Sequence, residues 1–296
     1  MRCESFSRVF FLSNFEYTLC CKKGIGMCNN RKIFLFLVWN LYFFSSLSAP
    51  IISKKIVSLS IPKSGSHLLA KCLELITHNT MYSFFPKNLS VGNIHALLTN
   101  AEYGSIAFSH LEYKAEYSLL ASNYDFSLFF IYRDPRDQII SMVHHLLLWH
   151  DHAKWPDIKK YSFDELIFEF IKPRKAIIPR PPNHQGILEF YQRFIGWIFC
   201  DGICAIKFED LVGDAGGGSD LAQFTILAKI MNILSISCSK EHISYLSQNM
   251  YGGTSTFRNG KIGQWKEYFT PEHKKEFKQQ AGQLLIDLGY EENFDW

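Results

Sequence analysis

The sequence predicts an α/β fold in which a doubly wound parallel sheet carries helices on both faces. Two observations support this prediction. Short apolar runs of strand length are followed by a loop and then by apolar residues at helical spacing, and this order repeats along residues 53–296. Apolar residues make up 47% and charged residues 20% of the chain, a composition typical of a globular protein with a large core. We therefore expect one domain over residues 53–296, preceded by a leader over residues 1–52.

The first strand, loop and helix are predicted near the start of this domain. Residues 56–61 read IVSLSI, a short apolar run that ends at Pro62. A loop of small and basic residues follows, and residues 67–76 then carry apolar side chains at the spacing of a helix. This order is that of a strand that delivers a tight loop to a helix N-terminus.

Later apolar runs predict further strands of the same sheet. Residues 105–109, 126–132 and 203–208 are short and apolar enough to be buried strands. Pro135 suits the first turn of a helix that follows the second of these runs. Because ligands of this fold bind at the carboxyl ends of the strands, the loops that follow the strands are expected to line a ligand site.

The remaining segments are predicted as helices and loops. The proline-rich segment 173–185 and the glycine-rich segment 213–219 are expected to be surface loops or mobile lids. Helical patterns cover residues 163–171, 187–199, 221–234 and 271–288.

Charge and cysteine content exclude two classes of protein. The net charge of +3 is too small to indicate nucleic-acid binding, so an anionic partner must be held by a local basic site. The eight cysteines lack the paired spacing of zinc ligands, and no metal site is expected. Cys200 and Cys204 flank a turn before a predicted strand, where we expect buried apolar thiols.

The leader contains a hydrophobic segment. Residues 33–44 read IFLFLVWNLYFF, with Arg31 and Lys32 before them and small residues after them. This is the layout of a secretory signal, and residues 33–48 also fit a retained signal anchor. The basic residues before the segment favour a domain outside the cytosol, where the sequon at Asn88 would matter. A true start at Met27 or later, or an apolar cytosolic leader, are the alternatives, so membrane-associated, secretory and cytoplasmic locations stay open.

The loop after the first strand has the features of an anion site. A turn of glycine and serine at a helix N-terminus presents backbone N–H groups and the positive end of the helix dipole. It is P-loop-like but not a Walker A loop, because Lys63 precedes Gly65 instead of following a second glycine. It resembles the phosphosulfate loop of the sulfotransferases that use 3′-phosphoadenosine-5′-phosphosulfate (PAPS). The resemblance implies that the 5′ end of PAPS binds Pro62, Lys63, Ser64, Gly65, Ser66 and His67.

A second pair of residues follows the strand at residues 126–132. Arg133 leaves the strand end, and Ser141 lies eight residues later on the predicted helix. The loop between them is short enough for both side chains to contact one phosphate. PAPS-dependent sulfotransferases have an Arg and a Ser at this spacing, and the resemblance implies that they bind the 3′-phosphate.

A third motif lies near the C-terminus. Residues 257–266 read FRNGKIGQWK, which resembles the RKGxxGxWK signature of the same family. Its glycines allow the backbone to lie close to a ligand, and its basic residues supply positive charge. The resemblance implies that this loop covers the nucleotide through Phe257, Arg258, Asn259 and Gly260. Asn259 stands where the family often has Lys, so we expect a weaker contact there.

The sequence departs from the family pattern around the adenine. Phe208 replaces the Tyr that usually meets the base, and Leu68 stands where animal cytosolic members have a stacking Trp. Base stacking is therefore expected from Phe208, Phe224 or Phe257. The family's dimer motif is incomplete after Lys266, so no oligomeric state is predicted.

The resemblance also suggests catalytic residues. Lys63, His110 and Ser141 are the candidates, with Lys63 stabilising the leaving phosphate and His110 taking the proton of the acceptor. His110 lies in AFSHLEY and resembles the catalytic His of the family's KTHLP segment. Four other histidines are rivals for the role of base: His144, His145, His150 and His152.

Together the motifs predict a sulfotransferase that moves a sulfuryl group from PAPS to a hydroxyl or amine, leaving 3′-phosphoadenosine 5′-phosphate (PAP). The acceptor is expected to be a small molecule, lipid or sugar, held by residues 142–185 and the stretch before Gly253. Two other functions remain open. One is a P-loop nucleotide or nucleoside kinase, and the other is a non-catalytic, membrane-tethered protein that binds a nucleotide.

Overall fold

The fold is built on a sheet of five parallel strands, seen in a computed structural model that describes residues 54–78, 81–84, 104–117, 126–148, 158–174, 186–253 and 257–296. The strand order is β2-β3-β1-β4-β5, so β1 is central. The predicted doubly wound parallel sheet is confirmed. The strands are β1 (Lys55–Ser60), β2 (Met81–Phe84), β3 (Ile106–Ser109), β4 (Phe126–Tyr132) and β5 (Ile203–Lys207).

The helices agree with the sequence patterns in most places. The segment predicted as one helix over residues 187–199 is instead a short helix followed by a 3-10 turn, Ile195–Trp197. Helix α7 was not predicted, because its buried stripe consists of three residues only. The helices are α1 (Ser66–Thr77), α2 (Pro135–Leu148), α3 (Phe163–Ile171), α4 (Ile187–Gln192), α5 (Phe208–Leu211), α6 (Asp220–Ile233), α7 (Lys240–Met250), α8 (Trp265–Tyr268) and α9 (Pro271–Asp287).

Two hydrophobic cores lie on opposite faces of the sheet. Side chains alternate between the faces along each strand. Leu128 and Phe130 of β4 therefore belong to one core, which they share with α2, α3, α4 and α9. Phe129 and Ile131 belong to the other, which they share with α1, α6 and α7. Because β4 is buried on both faces, its sequence is almost continuously apolar.

The glycine-rich segment 213–219 lies at the surface, as predicted, with Asp214, Ala215, Gly217 and Ser219 exposed, but it is also packed against the rest of the fold at Gly216. Gly216 is buried, and its carbonyl accepts a hydrogen bond from the N–H of Ile262 at 3.0 Å. A Cβ atom added to Gly216 would lie 2.7 Å from the carbonyl oxygen of Gly260. The glycines serve close backbone packing here. Most of the segment 173–185 lies outside the described residues.

Two further predictions concern cysteines and the leader. Cys204 is buried, but Cys200 is partly exposed, so the prediction of two buried thiols is correct for Cys204 only.

The leader, its segment 33–48 and the sequon at Asn88 lie outside the described residues. Within the described ranges, no helix combines the length and the apolar character that a membrane span requires.

Candidate functional site

The site lies at the carboxyl ends of β1 and β4, which are neighbours in the sheet. The chain leaves β1 toward β2, at one edge, and leaves β4 toward β5, at the other edge. The two connections therefore diverge and open a crevice between the loops after these strands. This is the position at which parallel α/β sheets bind their ligands.

The loop after β1 is a tight turn that ends at the start of α1. The N–H of Ser64 donates to the carbonyl of Ile61 at 3.1 Å, and both Lys63 (φ 67°) and Gly65 (φ 98°) have left-handed backbones. Gly65 is the N-cap of α1 and has no side chain to cap the first turn. The first amides of this helix therefore offer a site for an anion.

Arg133 is buried at the end of β4, with 6% of its surface exposed. Its Nη2 donates to a carboxylate oxygen of Asp137 at 3.4 Å and to the carbonyl of Lys261. Its guanidinium carbon lies 4.3 Å from the centroid of the Phe208 ring. Its Nε is buried and has no hydrogen-bond partner among the described residues, which is costly unless a ligand supplies an acceptor.

The third motif forms a loop over the crevice, here called the cover loop and comprising residues 257–264. The N–H groups of Gly263 and Trp265 donate to the two carboxylate oxygens of Asp137 at 2.7 and 2.9 Å. The Nη2 of Arg258 donates to the side-chain oxygen of Gln264 at 2.5 Å. The hydroxyl of Tyr251 donates to the carbonyl of Asn259 at 2.8 Å. The cover loop is therefore fixed at both ends.

These segments enclose one cavity of about 420 Å³. Three basic side chains, those of Lys63, Arg133 and Arg258, line it, and its described lining residues include no Asp or Glu. Of the residues predicted to bind PAPS through the three motifs, Ser64 does not line it and is fully buried. The predicted site residues that line the cavity are Pro62, Lys63, Gly65, Ser66, His67, His110, Arg133, Ser141, Phe208, Phe257, Arg258, Asn259 and Gly260.

The positive charges of the basic side chains in the cavity repel one another. Burial lowers the pKa of the Lys63 ammonium, and the positive charges of Arg258 and Arg133 lower it further. Burial also lowers the pKa of His67, with a smaller effect from Lys63. An anionic ligand would offset this repulsion, so the electrostatics of the cavity fit a phosphate-containing molecule.

Two of the candidate bases reach the cavity. The Nδ1 of His110 lies 2.9 Å from the hydroxyl oxygen of Ser60 and 3.0 Å from the carbonyl oxygen of Ser60, so Ser60 fixes the orientation of the ring. His145 also lines the cavity, and burial followed by the charge of Lys63 lowers its pKa to about 4. His144 does not line it and lies 3.3 Å from the hydroxyl of Tyr268. His150 and His152 lie outside the described residues.

Two of the three aromatic residues predicted to contact the adenine line the cavity. Phe208 and Phe257 line the cavity, the first buried and the second 41% exposed. Phe224 does not line it. Tyr251 lines the cavity and packs edge-on against Phe257, with ring centroids 5.2 Å apart. Tyr251 lies in the stretch before Gly253 that was assigned to the acceptor, but its contacts with Phe257 and the cover loop were not predicted because no motif marks it.

Other supporting residues were also missed. The side-chain amide of Gln138 donates to the carbonyl of Pro62 at 3.0 Å and so joins α2 to the β1 loop. Glu209 accepts hydrogen bonds from the N–H of Asp134 at 3.1 Å and the hydroxyl of Tyr290 at 2.9 Å. Burial raises the pKa of the Glu209 carboxyl to about 7. Only Asp137 could have been recognised in the sequence as a supporting residue, because it is a carboxylate one helical turn after Arg133.

Comparisons with known proteins show the family of this chain. Residues 53–289 match the family model of the sulfotransferase domain. Sulfotransferase 6B1 of Homo sapiens is 24% identical over 247 residues, which cover 78% of this chain and 76% of that protein. The corresponding protein of Gorilla gorilla gorilla has the same identity and coverage.

Two solved structures are similar in fold. Mouse sulfotransferase SULT7A1, complexed with PAP, has a TM-score of 0.57 and 17% identity, over 80% of this chain and 87% of that chain. Retinol dehydratase, in complex with androsterone and the inactive cofactor PAP, has a TM-score of 0.54 and 16% identity, over 81% of this chain and 82% of that chain. At these identities the likeness establishes the fold.

Proposed function

The chain belongs to the sulfotransferase family, and from this premise we propose that it transfers the sulfuryl group of PAPS to a hydroxyl or amine of a small-molecule acceptor. The observation that carries this proposal is the convergence of three remote segments on one cavity. Lys63, Arg133 and Arg258 come from different segments, and each supplies a positive charge. A ligand with phosphates at two positions is the class of molecule that such a cavity suits.

The residues divide between the two ends of the nucleotide. The β1 loop, with Lys63 and the first turn of α1, holds the 5′ end. Arg133, Ser141 and Arg258 hold the 3′-phosphate. The buried and unpartnered Nε of Arg133 supports this assignment, because a phosphate oxygen is the acceptor that it lacks. We assign contact with the adenine to Phe208 and Phe257, which both line the cavity.

Lys63 acts on the leaving group. PAPS, when bound, supplies the sulfuryl group and a phosphate as the leaving group. Negative charge grows on that phosphate during transfer, and a fixed ammonium beside it stabilises the charge. Burial and neighbouring cations lower the pKa of Lys63, and the bound anion restores its preference for the charged form.

His110 takes the proton of the acceptor. Its Nδ1 lies within hydrogen-bond distance of the hydroxyl and the carbonyl of Ser60, which orient the ring. In the tautomer with the proton on Nδ1, the Ser60 carbonyl accepts from Nδ1–H and Nε2 carries the lone pair that takes the proton of the acceptor. The edge of the ring packs against Phe108, with centroids 5.2 Å apart, and this contact limits its rotation. His145 lines the same cavity and is the alternative base.

Ligand binding and labelled transfer test the proposal. PAP is expected to raise the melting temperature of the full chain, adenosine 5′-phosphate (AMP) to raise it less, and ATP with magnesium to leave it unchanged. Radiolabelled PAPS is then offered with phenols, amines, sugars and lipids, and label is expected on at least one class. Binding of PAP without transfer would indicate a nucleotide-binding protein, and stabilisation by ATP with magnesium alone would indicate a kinase. Either result would overturn the proposal.

A substitution at Ser141 tests the residues that we assign to the 3′-phosphate. Ser141→Ala is expected to weaken binding of PAP by about tenfold or more, because a hydroxyl bonded to a charged phosphate is lost. Binding of AMP, which lacks the 3′-phosphate, should stay within about threefold of wild type. Ser247→Ala is the matched control, since the Ser247 hydroxyl donates to the carbonyl of Ser244 on α7 and does not line the cavity. Equal losses for PAP and AMP would contradict the assignment.

A further inference from the structure

Asp137 joins two parts of the site that are far apart in sequence. Its carboxylate is 1% exposed and lies in the first turn of α2. One oxygen accepts from the N–H of Gly263 at 2.7 Å and from Nη2 of Arg133 at 3.4 Å. The other accepts from the N–H of Trp265 at 2.9 Å. One side chain thus contacts the predicted 3′-phosphate ligand Arg133 and the end of the cover loop.

A carboxylate is the group that this position requires. An ionised carboxyl only accepts hydrogen bonds and has lone pairs for all three donors, whereas an amide side chain would turn one of its own donors toward them. Burial raises the pKa of Asp137, so the ionised form is costly here. The charge of Arg133 and the two backbone N–H groups offset that cost.

The same contacts set the orientation of Arg133. Its Nη2 is held between Asp137 and the carbonyl of Lys261, which belongs to the cover loop. Its Nε keeps no partner among the described residues. The guanidinium is therefore held through one nitrogen, Nη2, while another, Nε, has no acceptor among the described residues. The position of the cover loop and the direction of the guanidinium depend on each other through Asp137.

We propose that Asp137 is a positioning residue that couples closure of the cover loop to recognition of the 3′-phosphate by Arg133. Without its carboxylate, the cover loop and the guanidinium separate, and Arg258 and Arg133 no longer act on the same phosphate. This inference rests on the proposed binding of PAPS and PAP in the cavity. It assigns a role to a residue that contacts neither end of the nucleotide.

The test compares Asp137→Asn with wild type in the full chain by calorimetry and amide hydrogen exchange. Asp137→Asn is expected to weaken binding of PAP by about tenfold or more while binding of AMP stays within about threefold. Exchange of the amides of residues 258–266 is expected to rise by more than about tenfold. Asp287→Asn is the matched control, because it removes the same charge from a carboxylate on α9 that accepts from Gln283. It should change neither quantity.

The inference would be overturned if Asp137→Asn left the exchange of these amides unchanged. It would also be overturned if the exchange became faster while the affinity for PAP stayed the same, or if the affinities for PAP and AMP fell equally. If wild type binds no PAP, the proposed function itself fails, and the exchange experiment still shows whether Asp137 holds the loop.

A second variant serves if Asp137→Asn does not fold. Gln264→Ala removes the side chain that joins Arg258 to the carbonyl of Lys261 and leaves the buried carboxylate in place. It is expected to weaken binding of PAP by about threefold to tenfold with little change for AMP. No selective loss for PAP in this variant would show that the affinity does not depend on the loop.

Discussion

The guanidinium carbon of Arg133 lies 4.3 Å from the centroid of the Phe208 ring, and the same ring lies so close to Gly65 that a Cβ atom added there would be 2.5 Å from Cδ2 of Phe208. One buried side chain therefore supports the loop after β1 and the arginine after β4. The family usually has Tyr at this position, but the aromatic ring alone is enough for both contacts seen here.

Phe208→Leu tests this support. The change removes the cation–π contact with Arg133, so the dissociation constant of PAP is expected to rise about threefold to thirtyfold. The free energy of unfolding should fall by about 1 to 2 kcal/mol, because a smaller side chain leaves space in the core. Calorimetry and urea unfolding measure the two quantities. Phe224→Leu, at a partly exposed position outside the cavity, is the control and should change neither.

Gly65→Ala is expected to destabilise the protein more than Gly202→Ala. Both glycines have left-handed backbones, with φ of 98° and 81°, so both substitutions carry a conformational cost of about 1 kcal/mol. A Cβ at Gly65 would also lie 2.5 Å from Cδ2 of Phe208, whereas nothing lies within 4 Å at Gly202. Urea unfolding should show an additional loss of about 1 to 3 kcal/mol for Gly65→Ala. Equal losses would mean that the ring of Phe208 moves away without cost.

Lys63→Met is expected to lower kcat by about a hundredfold or more, because the developing charge on the leaving phosphate is no longer neutralised. Binding of PAP should change by less than about tenfold, since Arg133 and the amides of α1 remain. Steady-state kinetics with labelled PAPS and calorimetry with PAP separate the two effects. Lys240→Met, at an exposed position on α7, is the control. A kcat close to that of wild type would rule out the role of Lys63.

His110→Ala is expected to lower kcat/KM by about a hundredfold or more and to remove the acid limb of its pH profile. Wild type should lose activity as the pH falls, because the base becomes protonated. His144→Ala is the control, since His144 packs against Tyr268 outside the cavity. If His145→Ala removes the acid limb and His110→Ala keeps it, His145 is the base.

Glu209 makes stability depend on pH. Its pKa in the folded protein is raised to about 7, mainly by burial, from 4.5 in the unfolded chain. The stabilisation linked to its proton is fully present below the unfolded pKa and is lost as the pH rises through about 7. Glu209→Gln removes this dependence, so its free energy of unfolding should improve relative to wild type between about pH 5 and pH 8.

Urea unfolding of wild type and Glu209→Gln across this range gives the measurement. Glu267→Gln, at an exposed position, is the control and should differ from wild type by an amount that does not vary with pH. A difference between Glu209→Gln and wild type that stays constant, or that falls as the pH rises, would contradict the prediction.

The parts of the fold that depend on local sequence could be predicted. The run FSLFFIY is apolar except for Ser127 because β4 is buried on both faces, and its predicted bounds agree with Phe126–Tyr132. The loops after β1 and β4 were recognised because their residues are contiguous. Their meeting in one cavity followed from the common direction of parallel strands.

The contacts that depend on distant residues could not be predicted. Asp137 accepts from backbone N–H groups more than a hundred residues later, and any residue type supplies such a group. Strand β2 has four residues and no continuous apolar run, so no periodicity marked it. The segment 213–219 was predicted as a surface loop or mobile lid, and its close packing at Gly216 was not predicted, because glycine serves both flexible loops and close packing and the sequence does not distinguish these two uses.

The central place of β1 has a consequence for how the protein is made. Ile56 of this strand pairs with Ile106 on one side and with Ser127 on the other, so its neighbours leave the ribosome long after it does. Sheets with such distant pairings fold slowly, because a long stretch of chain must be ordered before the pairing is gained. The lysine-bearing turn is synthesised early but acquires its final form only when much of the polypeptide has joined it.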